Sequence, residues 1–238
     1  MPRTVAIDCF HEHLADAGGM VVVAVDVIRA TTTAITAVAL GRRCFPVPSI
    51  EAAVPLAARL HDPLLAGELG GSQPYGFEVQ NSPSVLIGRD DVSRPMILLS
   101  TSGTRLVAEA AGRGPTYLAC LRNVGAQAGM LMDRDEDVLL LGADSRGQFR
   151  EEDQLCCARI ARALVDAGHR VADDPTAELI ERWGDAPDDA FLTSDSVAYL
   201  RSTNQESDLE FVLSHIDDLN ACFPVVEGEV LMRSASGG

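Results

Sequence analysis

The sequence predicts a three-layer α/β/α protein with a mostly parallel sheet, organised as a single domain of residues 1–238. Over the first 165 residues, short and continuously apolar runs alternate with alanine-rich helical stretches. This alternation is typical of parallel strands that helices cover on both faces. A chain of 238 residues is also long enough to bury a large core. Two similar lobes, with a boundary between residues 90 and 130, are an alternative organisation.

The strands and helices follow one another along the chain. Residues 20–25 form a β-branched run that predicts a buried strand, and the helical stretch behind it stops at Gly41. Further strands are predicted at 44–47, 64–67, 96–99, 116–120 and 137–141, and a last one, at an edge of the sheet, at 224–231. Helices are predicted at 30–40, at 50–60 behind the cap Ser49, after 103 and 123, and at 151–167, 174–184, 194–200 and 208–220.

The charge balance limits the class of ligand. The chain has 35 acidic residues, 19 arginines and no lysine, which gives a formal charge of −16. Without lysine, neither a Walker-type phosphate loop nor Schiff-base catalysis is available. The acidic excess argues against nucleic acid or an anionic membrane as a partner. Because residues 131–238 have 24 of the acids but 9 of the arginines, the balanced first half still suits a small anion.

The cysteines and the apolar runs are typical of a cytoplasmic protein. No apolar run approaches the ~20 residues that span a bilayer, and the first residues lack the apolar stretch of a signal peptide. The six cysteines show neither a C-x-x-C pair nor a zinc-like grouping. We therefore expect free thiols, most of them buried.

Polar side chains follow the predicted strands at their carboxyl ends, where open parallel sheets bind ligands. Asp26, Glu68 and Asp153 offer the oxygen ligands that Mg²⁺ takes together with water and phosphate. Arg29 and Arg105 offer guanidinium groups, which bind phosphate or sulfonate oxygens in bidentate fashion. Neutral groups that we expect to bind the same anion are Thr31, Thr32, Asn81, Ser82, Thr101, Ser102, Gly103, Thr104 and Asn123.

These residues predict a metal-assisted phosphoryl site. Asp26, Arg29, Glu68 and Arg105 are the predicted catalytic residues, and Mg²⁺ is the predicted cofactor. Structural roles are the alternative for single residues, because Arg29 could pair with a buried carboxylate and Thr31 could be only a helix cap. The sequence leaves open which carboxylate activates water and whether a covalent intermediate forms.

Four stretches form a specific combination in a fixed order. They are residues 25–33 (VDVIRATTT), 65–71 (LAGELGG), 76–83 (GFEVQNSP) and 102–105 (SGTR), with a weaker continuation at Asn123 and 147–153 (GQFREED). In these stretches the chain resembles the 2-phosphosulfolactate phosphatase family. The resemblance implies a magnesium-dependent enzyme of coenzyme M biosynthesis that hydrolyses 2-phospho-3-sulfolactate to 3-sulfolactate and phosphate. It also admits homo-oligomers, which are common in the family.

Three positions depart from the pattern of that family. Ser102 stands where the family has asparagine, Leu69 where it has arginine, and Gln80 where it has glycine. The leading hypothesis is a magnesium-dependent phosphatase for a small anionic phosphoester. One alternative is a protein that binds a small anionic metabolite without turnover. The other is an enzyme for a non-phosphate anion that needs no magnesium.

Overall fold

Eleven strands join in one sheet in the computed structural model, which describes residues 3–9, 18–145 and 147–235. The strands are β1 (Thr4–Asp8), β2 (Val21–Val25), β3 (Cys44–Val47), β4 (Leu64–Gly67), β5 (Met96–Leu99), β6 (Thr116–Ala119), β7 (Val138–Gly142), β8 (Arg170–Val171), β9 (Ala221–Val226), β10 (Glu229–Val230) and β11 (Arg233–Ser234). The α-helices are α1 (Ala30–Ala39), α2 (Ile50–Ala57), α3 (Pro83–Leu86), α4 (Gly103–Ala111), α5 (Val124–Met132), α6 (Glu151–Asp166), α7 (Asp174–Trp183), α8 (Asp195–Ser202) and α9 (Glu206–Ser214).

Two groups of parallel strands make up most of this sheet. One group has the order β6-β2-β7-β1-β8, and the other has the order β4-β5-β3. The hairpin of β9 and β10 joins them, and β11 pairs with β9. The pairings β6–β9, β9–β10 and β10–β3 are all antiparallel. Three successive reversals mean that the two parallel groups run in opposite directions.

The sheet bends so that the two groups meet at their carboxyl ends. In a flat sheet, opposite strand directions would place these ends at opposite edges. A Cβ on Gly103, just after β5, would instead lie 2.0 Å from Oδ2 of Asp26, just after β2. The loops that follow strands of both groups therefore share one site. The chain passes between the groups after β2 and again after β5, and the division into domains stays a prediction.

Helices cover both faces of the sheet, which confirms the predicted three-layer α/β/α class. On β2, Val21, Val23 and Val25 belong to one buried cluster with residues of α5 to α9, whereas Val22 and Ala24 belong to another with residues of α1 and α4. A strand that packs against helices on both faces needs apolar residues at every position. This requirement explains the continuous run that predicted β2.

The position predicted for the last strand is wrong. β9 begins at Ala221 and lies inside the sheet, between β6 and β10, and its Phe223 is fully buried. Proline in an apolar run favours an edge, because it lacks an N–H for the ladder. Here the carbonyl of Pro224 accepts a hydrogen bond from the N–H of Leu231 at 2.9 Å, so the hairpin keeps this proline within the sheet. No local pattern predicted β1, the two-residue strands β8 and β11 or the short helix α3.

The cysteines confirm the prediction of free thiols that are mostly buried. All six are free and buried. Burial raises the pKa of the Cys120 thiol to about 11 and that of Cys9 to about 12, so both stay protonated and unreactive near neutral pH. Within the part of the chain that the structure describes, no helix has the length and apolar character to cross a bilayer.

Replacing Phe223 with alanine should lower the free energy of unfolding by about 3–5 kcal/mol, because the side chain is fully buried and a cavity would remain. Urea denaturation measures this loss. Val226 is the matched control on the same strand, since it is 41% exposed, and Val226→Ala should change stability by less than ~0.5 kcal/mol. Equal effects of the two substitutions would contradict the interior position of β9.

Candidate active site

A cavity of about 530 Å³ lies where the two carboxyl-terminal edges meet. Loops after β2, β4, β5 and β7 line it, together with the start of α6 and one face of α8. This location follows the rule that parallel sheets bind ligands beyond the carboxyl ends of their strands. The predicted site residues that line the cavity are Asp26, Arg29, Glu68, Asn81, Thr101, Ser102 and Asp153.

The loop after β2 is held by its own threonines. The hydroxyl of Thr31 accepts a hydrogen bond from the N–H of Asp26 at 2.9 Å and contacts the carbonyls of Asp26 and Ala119 at 2.8 Å. The hydroxyl of Thr32 donates to the carbonyl of Val27 at 2.7 Å. Both threonines are buried and do not line the cavity. Predicted as ligands of the anion, they instead fix the backbone that presents Asp26.

Asp26, Glu152 and Asp153 form a buried group of carboxyls. Burial raises the pKa of Asp26 to about 7, and repulsion from Glu68 and Glu152 adds to the shift. Burial also raises the pKa of Asp153 well above its ordinary value, with further repulsion from Asp26 and Glu152. Only part of this cost is offset locally, for example by the N–H of Val27, which donates to Asp153 Oδ1 at 2.7 Å. Carboxyls that are close together and poorly solvated favour either a proton or a cation.

Asp26 and Asp153 fit the needs of Mg²⁺. The described residues contain no cluster of three or more His, Cys, Asp or Glu side chains placed to hold a metal ion. Mg²⁺ is usually bound through one or two carboxylates, and water and substrate phosphate complete its octahedron. A cation between these two carboxyls would also relieve the repulsion that raises their pKa values.

Glu68 links two loops of the cavity. Its Oε2 accepts from the N–H of Gly71 at 2.7 Å and from the hydroxyl of Thr101 at 2.9 Å, and its Oε1 accepts from the N–H of Thr101 at 2.7 Å. The hydroxyl of Tyr199 donates to the carbonyl of Gly71 at 2.8 Å, and a Cβ on Gly71 would lie 2.4 Å from that hydroxyl oxygen. Since both carboxylate oxygens are engaged, Glu68 positions the loops after β4 and β5, and Gly71 lets α8 approach them.

Arg29 reaches the cavity as part of a buried ion pair. Its Nη1 donates to Gln205 Oε1 at 2.5 Å and to Asp208 Oδ2. Oδ1 of Asp208 accepts from the hydroxyls of Ser82 at 2.7 Å and Ser84 at 2.6 Å. Ser82, predicted to bind substrate, therefore holds the partner of Arg29 instead. The other guanidinium nitrogens of Arg29 have no hydrogen bond within the described residues.

Asn81 lines the cavity with an unsatisfied oxygen. The side chain is 3% exposed, yet its Oδ1 has no hydrogen-bond partner among the residues that the structure describes. Leaving a buried amide oxygen unpaired costs about 1–3 kcal/mol. A ligand hydroxyl or a water molecule would remove that cost.

Gly103 and Thr104 shape the site without lining the cavity. A Cβ at position 103 would also lie 2.6 Å from the Cβ of Ala30, so only glycine allows α4 to approach the loop after β2. The hydroxyl of Thr104 accepts from the N–H of Ser100 at 2.8 Å, and the N–H of Thr104 donates to the Ser100 hydroxyl at 2.9 Å. Both residues thereby fix the turn between β5 and α4.

Arg105 and Asn123 also lie away from the cavity. The Arg105 side chain is 58% exposed, and its Nε donates to Glu109 Oε1 at 2.8 Å, one helical turn further along α4. Asn123 is fully buried, and its Oδ1 accepts from the N–H of Cys120 at 3.0 Å. The loop motifs predicted Arg105 as a catalytic residue and Asn123 as a substrate ligand, but α4 turns Arg105 outward, and Asn123 is used to close the turn after β6.

Arg150 is a cavity residue that the sequence analysis did not select. It immediately precedes α6, and its Nη1 donates to Asp195 Oδ2 at 2.9 Å and to Gln148 Oε1 at 2.7 Å. Its position within the stretch 147–153, which resembles the family, was an available signal. No sequence signal indicated Asp195 or Tyr199, because α8 reaches the cavity only through tertiary packing.

Fold and site together define an α/β protein that presents arginine and carboxyl side chains to a small anion, as hydrolases of phosphoesters do. The chain belongs to the 2-phosphosulpholactate phosphatase family, whose model matches residues 8–228, and it is a phosphoric monoester hydrolase of that family. The predicted family and enzyme class are confirmed.

Curated relatives show the extent of the similarity. A protein of Carboxydothermus hydrogenoformans is 36% identical over 185 residues, which is 77% of each chain. One of Thermus thermophilus is 32% identical over 225 residues, or 92% of each chain, and one of Symbiobacterium thermophilum is 30% identical over 221 residues, or 90% of this chain and 94% of the relative. Each is named a probable 2-phosphosulfolactate phosphatase.

Asp26→Asn should stabilise the metal-free protein at pH 8. The folded state raises the pKa of Asp26 from 3.8 to about 7, so this carboxyl contributes most stability below about pH 4 and loses it as the pH rises through 7. In EDTA, the stability of the variant relative to wild type should therefore increase between pH 5 and 7, by at most about 1.4 kcal/mol per pH unit. Urea denaturation at several pH values measures it.

The control for this measurement is Asp185→Asn, at a position where the side chain is 82% exposed. Its stability relative to wild type should not vary with pH over the same interval. If the stability of Asp26→Asn relative to wild type is also independent of pH, ionisation of Asp26 does not destabilise the fold, and the electrostatic account of the site is wrong.

Proposed function

We propose that this protein is a magnesium-dependent phosphatase that hydrolyses 2-phospho-3-sulfolactate to 3-sulfolactate and phosphate. The names of the relatives support the substrate. The observation that most supports the chemistry is the buried pair of Asp26 and Asp153, which lines the same cavity as Arg29. This substrate belongs to the class of small anionic phosphoesters that the sequence predicted.

The charge of the cavity supports a role for a cation. Among the described residues, the lining has four carboxyls, from Asp26, Glu68, Asp153 and Asp195, and two guanidinium groups, from Arg29 and Arg150. With all groups ionised, this lining has a net charge of −2, and the chain has no lysine to offset it. A substrate with several negative charges would be repelled. A divalent cation at the carboxyls brings this net charge to zero and gives the phosphoryl group a favourable partner.

Different residues of the chain have different roles around the phosphoryl group. Asp26 and Asp153 would hold Mg²⁺, which when bound polarises the phosphoryl group and stabilises its charge. Arg29, held at Nη1 by Asp208, directs its remaining N–H groups at the non-bridging oxygens, where they stabilise the charge of the transition state. The Asn81 amide and the Ser102 hydroxyl add uncharged polar groups to the lining.

Purified protein should release phosphate from 2-phospho-3-sulfolactate with Mg²⁺, and EDTA should abolish this release. A colorimetric phosphate assay with a panel of phosphorylated hydroxy acids measures both effects. Absence of release from every compound, with 3-sulfolactate still bound, would favour a binding protein without turnover. Release that is insensitive to EDTA would remove the metal from the mechanism.

Arg29→Lys should lower kcat/KM by roughly 10²–10³-fold, because a lysine keeps the charge but loses the planar set of donors. Steady-state kinetics at saturating Mg²⁺ measures the loss, and thermal unfolding shows whether the buried Asp208 still has a partner. Arg105→Gln is the control, since Arg105 pairs with Glu109 at the surface, and its kinetics should match the wild type. If Arg105→Gln instead loses more kcat/KM than Arg29→Lys does, the assignment of the anion-binding arginine is wrong.

A further inference from the structure

Arg29 and Arg150 are held in the same way. Each uses Nη1 to bind one aspartate and one glutamine: Asp208 and Gln205 for Arg29, and Asp195 and Gln148 for Arg150. In both cases, the partner carboxylate comes from the acidic part of the chain, after residue 170. This arrangement fixes each guanidinium through one nitrogen and leaves its other donors for a second partner.

The second partner of Arg150 is missing among the described residues. Its Nε is buried and has no hydrogen bond, and its Nη2 makes only one contact, of 3.4 Å, to the hydroxyl of Ser145. The side chain as a whole is 15% exposed, so bulk water does not solvate this edge freely. Nε–H and Nη2–H point in parallel and match two oxygens of one oxyanion. An unpaired edge of this kind in a ligand cavity is a place for an anionic group.

Arg150 lines two neighbouring cavities, of which the first contains the phosphoryl machinery. A second cavity, of about 480 Å³, adjoins the first, and Arg150 and Asp195 line both. Arg29, Asp26 and Glu68 line only the first. Arg150 therefore stands at the boundary between the two cavities. A substrate whose phosphoryl group is bound by Arg29 and the carboxyl pair shares its cavity with Arg150, which can bind a second anionic group of the same molecule.

We propose that Arg150 determines specificity by binding the sulfonate of the substrate through its Nε–Nη2 edge. This inference rests on the proposed function and deepens it. Ser145, which already contacts Nη2, lies at the same edge and supplies a hydroxyl donor. A phosphoester that lacks the sulfonate leaves the Arg150 edge unpaired and binds less well, so the enzyme selects for substrates that have a sulfonate in addition to the phosphate and the carboxylate.

The test compares 2-phospho-3-sulfolactate with 2-phospholactate, in which a methyl hydrogen replaces the sulfonate. In Arg150→Gln, kcat/KM for the sulfonated substrate should fall by roughly 10–100-fold, mainly through KM, as expected for the loss of a charge-assisted pair. The value for 2-phospholactate should change by less than about threefold. Arg150→Lys should give an intermediate loss for the sulfonated substrate, because it keeps the charge but not the paired donors.

Arg159→Gln is the matched control. Arg159 lies on α6, is 17% exposed, pairs with Asp188 at 2.7 Å and lines neither cavity. Its discrimination between the two substrates should equal that of the wild type. Thermal unfolding of all three variants separates misfolding from loss of binding.

Three results would overturn the inference: an equal fall for both substrates in Arg150→Gln, no fall for either, or a loss of discrimination in the control. Failure of the proposed function is a different result, in which the wild type releases phosphate from neither compound. In that event, calorimetric binding of 3-sulfolactate and lactate still decides the role of Arg150. The wild type should prefer 3-sulfolactate by at least about tenfold, and Arg150→Gln should lose this preference.

Discussion

The burial of Asp26 between two sheet edges is the constraint on which the rest of the site depends. The carboxyl end of β2 meets the start of α4 so closely that only glycine fits at position 103. The same burial excludes water from Asp26 and raises its pKa to about 7. A flat sheet would separate these elements, since the two parallel groups run in opposite directions. The antiparallel hairpin of β9 and β10 thus has a functional consequence, because it allows the bend that encloses Asp26.

The acidic second half of the chain supplies partners for the arginines. Asp208 binds Arg29, Asp195 binds Arg150 and Asp218 binds Arg122. These pairs differ in exposure, and the difference matters for their strength. The pair of Arg29 and Asp208 is almost fully buried, so removal of either partner would leave a charge without solvation. Asp195 is 70% exposed, so it orients Arg150 without contributing much stability. The net charge of −15 after residue 130 is therefore partly the counter-charge of the site.

The sequence predicted the layers of the fold and one side of the cavity, for a physical reason. A strand buried on both faces leaves a continuous apolar run, and the loop behind it is a fixed distance away in sequence. Asp26, Arg29, Glu68 and Asp153 were found in this way and do line the cavity. Local patterns do not show which side chain of a loop is used to hold the loop itself, and so Thr31 and Asn123 were assigned to the ligand. The face of α8 and the reversal of the sheet depend on contacts between distant segments, for which no local pattern exists.

The two halves of the cavity have opposite electrostatic requirements. At Asp26 and Asp153, repulsion between buried carboxyls is relieved only by a proton or a cation, so this side is unfavourable for an anion until a cation is present. At Arg150, a guanidinium edge that has no hydrogen-bond partner among the described residues is favourable for an anion whether or not a cation is present. Binding at the Arg150 side would thus not depend on the metal, whereas phosphoryl chemistry at the carboxyl side would. In the proposed mechanism, selection of the substrate and activation of its phosphoryl group therefore depend on separate charges, linked by the short stretch of chain from Arg150 to Asp153.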